Sequence, residues 1–128
     1  MSLLRISALG AGLLLFAARA LACAGDVALV GTWHAVIEGM PAATLHLARH
    51  PEYAGSVRGH LERGARRIEV AGDLADGELT LEESENGTNI SATWLGDVVT
   101  GSCGREIRGT WKAERAPEER PFVLKKAP

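Results

Sequence analysis

The stretch Gly77 to Trp94, GELTLEESENGTNISATW, limits the fold more than any other part of the chain. Leu79, Leu81 and Glu83 share one alternating face before Asn86-Gly87, and Ile90, Ala92 and Trp94 share one after it. Side chains alternate from face to face along a strand, so both runs read as half-buried strands. Asn-Gly between two such runs is the strongest short hairpin signal, because a type I′ turn needs positive φ at both central residues. With Asn86 and Gly87 as a two-residue loop, partner numbers sum to 173, which pairs Leu79 with Trp94, Leu81 with Ala92 and Glu83 with Ile90. The resulting face is apolar except for Glu83. An inward carboxylate must find a partner or reach a wet end of the core, since burying it unpaired is costly. Its place close to the turn favours the wet sheet end.

The same parity extends in both directions. Gly64-Ala65 can close a turn of the Gly-x type with pairs summing to 129, and Asp76-Gly77 can close one with pairs summing to 153. Leu61 then faces Ile68, Gly59 faces Val70, Leu74 faces Leu79 and Val70 faces Glu83. A slip of one residue would turn a whole strand inside out, so agreement across successive turns is informative. Val27 to Glu38 reads as the first strand, with Leu29, Trp33, Ala35 and Ile37 inward. Ala43, Leu45 and Leu47 continue the face, then Val57 and Leu61 after the polar loop at His50 to Tyr53. Past Trp94 the face runs through Gly96 and Val98, breaks at Thr100 to Gly104, and resumes at Ile107, Gly109, Trp111 and Ala113. Ala116 to Pro121 is a loop by composition, and Phe122 and Leu124 form a last short strand.

These runs predict an all-β chain of about eight antiparallel strands in meander order, closed as an up-and-down barrel. An eight-stranded barrel is either filled by side chains or just able to hold one small ligand. The small inward residues, among them Gly59, Gly72, Gly96 and Gly109, fit a cavity or equally the bent strands of a narrow, filled barrel.

Residues 1–22 carry the parts of a secretory signal peptide: Arg5 near the start, an apolar run from Ile6 to Ala18 and small residues before Cys23. The expected organisation is a signal peptide over 1–22 and a single β-barrel domain over 23–128, periplasmic or secreted. The apolar run is too short, with Arg19 too close behind it, for a membrane span, and no later segment could span as a helix. Cys23 and Cys103 are the two cysteines, and in an oxidising compartment they predict a bridge. Closing so long a loop is worth on the order of 4 kcal/mol in the chain-entropy model. Two other fates stay open for Cys23, as a lipidated first residue or as a residue removed by cleavage before Gly25.

Of the whole chain, 14 Lys and Arg stand against 16 Asp and Glu; without residues 1–22 the balance is 12 against 16, a net charge of −4. A mildly acidic domain with no basic stripe is a poor nucleic-acid binder, because phosphate affinity rests on clustered cations. Arg63, Arg66 and Arg67 flank a turn and read as solvated charges. The sequence has no Gly-x-Ser-x-Gly elbow, phosphate loop, dinucleotide fingerprint or zinc ligand set. It therefore offers no catalytic residues, no cofactor and no assigned metal ligands, and a non-enzymatic role is expected. His34, His46 and His60 all point outward by this register. They read as solvated histidines unless neighbouring strands bring them together as a metal or pH-sensitive site.

Three strands carry a small residue, Thr and Trp in succession, at Gly31-Thr32-Trp33, Ala92-Thr93-Trp94 and Gly109-Thr110-Trp111. Gly77-Glu78-Leu79-Thr80-Leu81-Glu82-Glu83, Glu106-Ile107-Arg108-Gly109-Thr110-Trp111 and Pro121-Phe122-Val123-Leu124 together resemble a recurrent element of small secreted bacterial β-barrel domains, most of them uncharacterised. The opening Gly31-Thr32-Trp33 followed by a meander also looks like the start of lipocalin-like and avidin-like barrels. The resemblance implies a barrel and little about its role; a polar ligand set of the avidin kind is not present, so biotin binding does not carry over.

Two functions follow as expectations. The first is a binding protein that acts through a protein partner, of the inhibitor or immunity type, with His50, Glu52 and Tyr53 in one polar loop and the Ala116 to Pro121 loop as contact candidates. The second is a carrier of a small apolar ligand in the barrel interior, lined by Trp33, Leu81, Trp94, Trp111 and Phe122 with Glu83 at the mouth.

Overall fold

The computed structural model describes residues 28–128. The expected signal peptide, and Cys23 with the bridge or lipid expected on it, lie outside the described residues. Within them the chain forms β1 (Gly31–Ile37), β2 (Ala43–Arg49), β3 (Ser56–Arg63), β4 (Arg66–Ala75), β5 (Glu78–Ser84), β6 (Ala92–Val98), β7 (Glu106–Ala113) and β8 (Glu119–Lys126). Each strand pairs antiparallel with the next, and β1 also pairs with β8, so the sheet closes into the expected up-and-down barrel. Closure gives every strand two hydrogen-bonded neighbours and leaves no open edge. Among the described residues no helix is long and apolar enough to cross a membrane.

Connections alternate between the two ends of an up-and-down barrel. Segments 38–42, 64–65, 85–91 and 114–118 therefore gather at one end, which we call the proximal end, and 50–55, 76–77 and 99–105 at the other, distal end. This separates the two loops expected to share a partner. The His50 to Tyr53 loop is distal, whereas the segment from Ala116 is proximal, and its expected extent is shorter because β8 already begins at Glu119.

Two of the three turn signals act as their sequences suggest. β3 and β4 meet with Leu61 opposite Ile68 and Gly59 opposite Val70. Of the turn pair only Gly64 has positive φ, at 62°, which is the type II′ pattern. β4 and β5 pair Leu74 with Leu79 and Val70 with Glu83. Asp76 at 51° and Gly77 at 77° both adopt positive φ there, as a type I′ turn requires.

The third signal is corrected. β5 meets β6 two residues further along, with Leu79 opposite Gly96, Leu81 opposite Trp94 and Glu83 opposite Ala92. Asn86 and Gly87 belong instead to the longer loop 85–91. The Asn86 Oδ1 accepts hydrogen bonds from the backbone N–H of Thr88 at 2.9 Å and of Asn89 at 2.8 Å. An Asn side chain that binds its own following backbone makes a wider turn than the two-residue hairpin does. The Ser91 N–H donates to the Glu83 carbonyl at 2.7 Å and closes the loop. Ile90, expected inward opposite Glu83, is exposed. Since the shift is two residues and not one, Leu79, Leu81, Glu83, Ala92 and Trp94 all keep their inward face.

The inward faces fill the barrel. Trp33, Leu45, Leu61, Leu81, Trp94, Ile107 and Leu124 are fully buried. The small inward residues mark close backbone approach: a Cβ on Gly59 would lie 1.7 Å from the His46 carbonyl oxygen, and one on Gly109 would lie 1.9 Å from that of Leu95. Strands that bend this tightly against a neighbour admit only glycine, which fits the narrow, filled barrel.

Candidate functional site

Glu83 projects inward from β5 and is only 2% exposed, so the wet sheet end expected for it is corrected to a buried position. Its partners arrive from three other strands. The Trp94 indole N–H on β6 donates to Oε2 at 2.8 Å, and that of Trp111 on β7 donates to the same oxygen. The Arg63 Nη1 on β3 donates to Oε1 at 3.4 Å, and its guanidinium lies 5.8 Å from the centre of the Trp111 ring. Burial of a carboxylate is tolerable only with such donors, and those to a charged acceptor are stronger than neutral ones. Both carboxylate oxygens are engaged, so the group ties β3, β5, β6 and β7 together near the proximal end. This geometry is that of a clamp.

Arg63 was not among the expected site residues, having been assigned to solvated charges around a turn. Its side chain is 11% exposed, and its Nε and Nη2 find no acceptor among the described residues. The signal that could have identified it is parity, because Val57, Gly59, Leu61 and Arg63 lie on one alternating face. Arg66, the first residue after the Gly64-Ala65 turn, is exposed and pairs with Glu85. Arg63 and Glu83 thus form the buried pair, and Arg66 and Glu85 an outer one above it.

The residues expected to line an apolar ligand all point inward. Trp33, Leu81, Trp94 and Phe122 are at most 1% exposed and Trp111 is 8% exposed. They pack on one another and on the barrel wall: the Trp94 and Phe122 rings meet edge to face at 4.8 Å, and the Trp33 indole donates to the Leu29 carbonyl at 2.9 Å. Aromatic contacts of this kind, with each indole N–H satisfied by protein, are those of a packed core. Glu83 belongs to this interior and not to a mouth.

His50, Glu52 and Tyr53 do form a unit at the distal end. The His50 Nδ1 accepts from the backbone N–H of Glu52 at 3.1 Å and of Tyr53 at 3.3 Å, and the His50 and Tyr53 rings lie 4.8 Å apart. Tyr53 is 64% exposed on this ordered turn. The loop borders a surface cleft of about 600 Å³ together with Leu29, Arg49, Val57 and Leu74. His50 also borders a second groove, of about 520 Å³, that runs over the outer face of β3, β4 and β5 to Asn89 and Ile90 in the 85–91 loop. Its floor carries Arg58, His60, Arg67, Glu69 and Glu82, so cations and anions are interleaved.

The outward histidines divide. His46 on β2 is directly opposite His60 on β3, and their rings are 4.8 Å apart. His34 is opposite Thr44 on β2 and Lys125 on β8, so the register separates it from that pair. With the geometry in place, comparison with known proteins adds no assignment: no protein-family model and no curated protein matches the chain.

Proposed function

We propose that this barrel is a non-enzymatic periplasmic or secreted binding protein that acts through a protein partner, of the inhibitor or immunity type. The observation that carries the proposal is the outer surface on which the Tyr53 cleft and the β3 to β5 groove, which both border on His50, lead to Ile90. It presents an exposed aromatic, an exposed aliphatic and interleaved charges on a rigid sheet. Interfaces are commonly built this way, with apolar anchors inside a rim of complementary charge. The packing of Trp33, Leu81, Trp94, Trp111 and Phe122 favours this outside surface over an interior ligand. The signal-peptide pattern and the resemblance to secreted bacterial barrels support export.

The test is site-specific photo-crosslinking in envelope fractions of the native host. A crosslinker at Tyr53 or at Glu82 is expected to yield the same protein adduct, and one at the exposed Leu95 of β6, outside the groove, to yield none. Tyr53→Ala is then expected to weaken binding of that purified partner about tenfold or more, as loss of an aromatic anchor does. An identical adduct from all three positions, or none from the groove, would reject the proposal.

A further inference from the structure

We infer that His46, His60 and Glu62 form a surface site for a divalent transition metal ion of the Zn²⁺ class, on the outer wall of β2 and β3. The inference rests on register. His46 and His60 are opposed across the β2 and β3 ladder, and Glu62 follows His60 on the same outward face. The three side chains converge: His46 Nε2 is 3.7 Å from Glu62 Oε2, and His60 Nε2 is 3.5 Å from Glu62 Oε1. The ligand atoms of all three lie within 4.8 Å of one another. Donors on a tetrahedral zinc at its usual bond lengths stand about 3.3 Å apart; each imidazole nitrogen already sits within a few tenths of an ångström of that distance from one Glu62 oxygen, though the two rings approach different oxygens of the carboxylate. The remaining adjustment is a side-chain rotation, open to residues that are partly exposed.

A second contact orients the ring. His46 Nδ1 is 3.2 Å from Thr32 Oγ1 on β1. With the proton on Nδ1 donated to that hydroxyl, the Nε2 lone pair faces the site, which is the outer hydrogen bond that metal-bound histidines characteristically make. Two imidazoles and one carboxylate suit Zn²⁺, Ni²⁺ or Cu²⁺; Ca²⁺ and Mg²⁺ call for oxygen ligands. Three protein ligands leave a coordination position open to water or to a donor from another molecule.

Isothermal titration of the untagged protein with Zn²⁺ alone tests this. One ion per chain is expected. His46→Ala and His60→Ala should each weaken binding at least about tenfold, the lower bound for disturbing even an outer hydrogen bond of a metal site. His34→Ala and His50→Ala, which lie outside the cluster, should leave it unchanged. All four positions face outward or lie in a loop, and their melting temperatures without metal show whether folding is preserved. Should a histidine variant fold poorly, the absorption spectrum of the Co²⁺-loaded parent provides a separate readout, with intense visible bands expected for four-coordinate ligation. Absence of one-to-one binding in the parent, equal loss in His34→Ala or His50→Ala, or an octahedral Co²⁺ spectrum would each overturn the assignment.

Discussion

Glu83→Ala should cost about 3–5 kcal/mol of folding stability, measured by urea denaturation followed by tryptophan fluorescence. The expectation follows from what the substitution leaves behind. Two indole N–H groups and the Arg63 guanidinium, which is 11% exposed, lose their acceptor inside a barrel too well packed to bring water in readily. Removing one partner of a buried ion pair is far more damaging than replacing both, because the penalty is the stranded charge and not the lost attraction alone. Glu83→Gln should fall between, since its amide oxygen still accepts from an indole while Arg63 stays unpaired. The double variant Glu83→Gln with Arg63→Met should be more stable than the sum of the singles implies, with a coupling of about 1 kcal/mol or more. A cost below about 1 kcal/mol for Glu83→Ala would mean that the carboxylate is not the acceptor that holds these strands.

Gly59→Ala is the second large effect. Its new methyl group would lie 1.7 Å from the His46 carbonyl oxygen and 3.1 Å from the Leu47 Cα, both backbone atoms of β2 that cannot rotate away. Relief requires β2 and β3 to move apart at the pair where Gly59 faces Leu47. Overpacking that ordinary cores absorb for about 1–3 kcal/mol should here reach or exceed the upper figure, because the obstacle is main chain. Gly64→Asn provides the contrast. Gly64 has φ 62° and nothing within 4 Å of the added Cβ, and asparagine tolerates that backbone region, so a loss of well under 1 kcal/mol is expected. The two midpoints in one denaturant series separate steric closeness from backbone conformation as the reason for glycine. Equal losses at the two sites would remove the close-packing argument.

The parts of the fold legible in the sequence were those decided locally. Gly64-Ala65 and Asp76-Gly77 are two-residue turns whose own backbone needs set the register, and the pairs they predict are the pairs found. Asn86-Gly87 has the same look but a different use, because Asn86 spends its side chain on Thr88 and Asn89. Sequence alone does not distinguish these two habits of asparagine. Glu83 was legible as an inward charge and illegible as a buried one, since its donors come from β3, β6 and β7, up to 28 positions away. The histidines show the same division: alternation placed His34, His46 and His60 outward, and only the strand register chose which two meet.

Barrel closure also has a temporal side. Seven of the eight strand pairings join chain neighbours and can form as each hairpin emerges, but the eighth joins Trp33 to Lys126 and Ile37 to Phe122. Loop closure over such a distance must be met before its contacts give anything back, which makes non-local pairing the slow part of folding. Until β8 is available, β1 therefore waits with one side unpaired. An unfinished chain of this kind offers its first strand to any other extended segment nearby, and a chaperone that shields β1 until the seam forms would protect it at its most vulnerable stage.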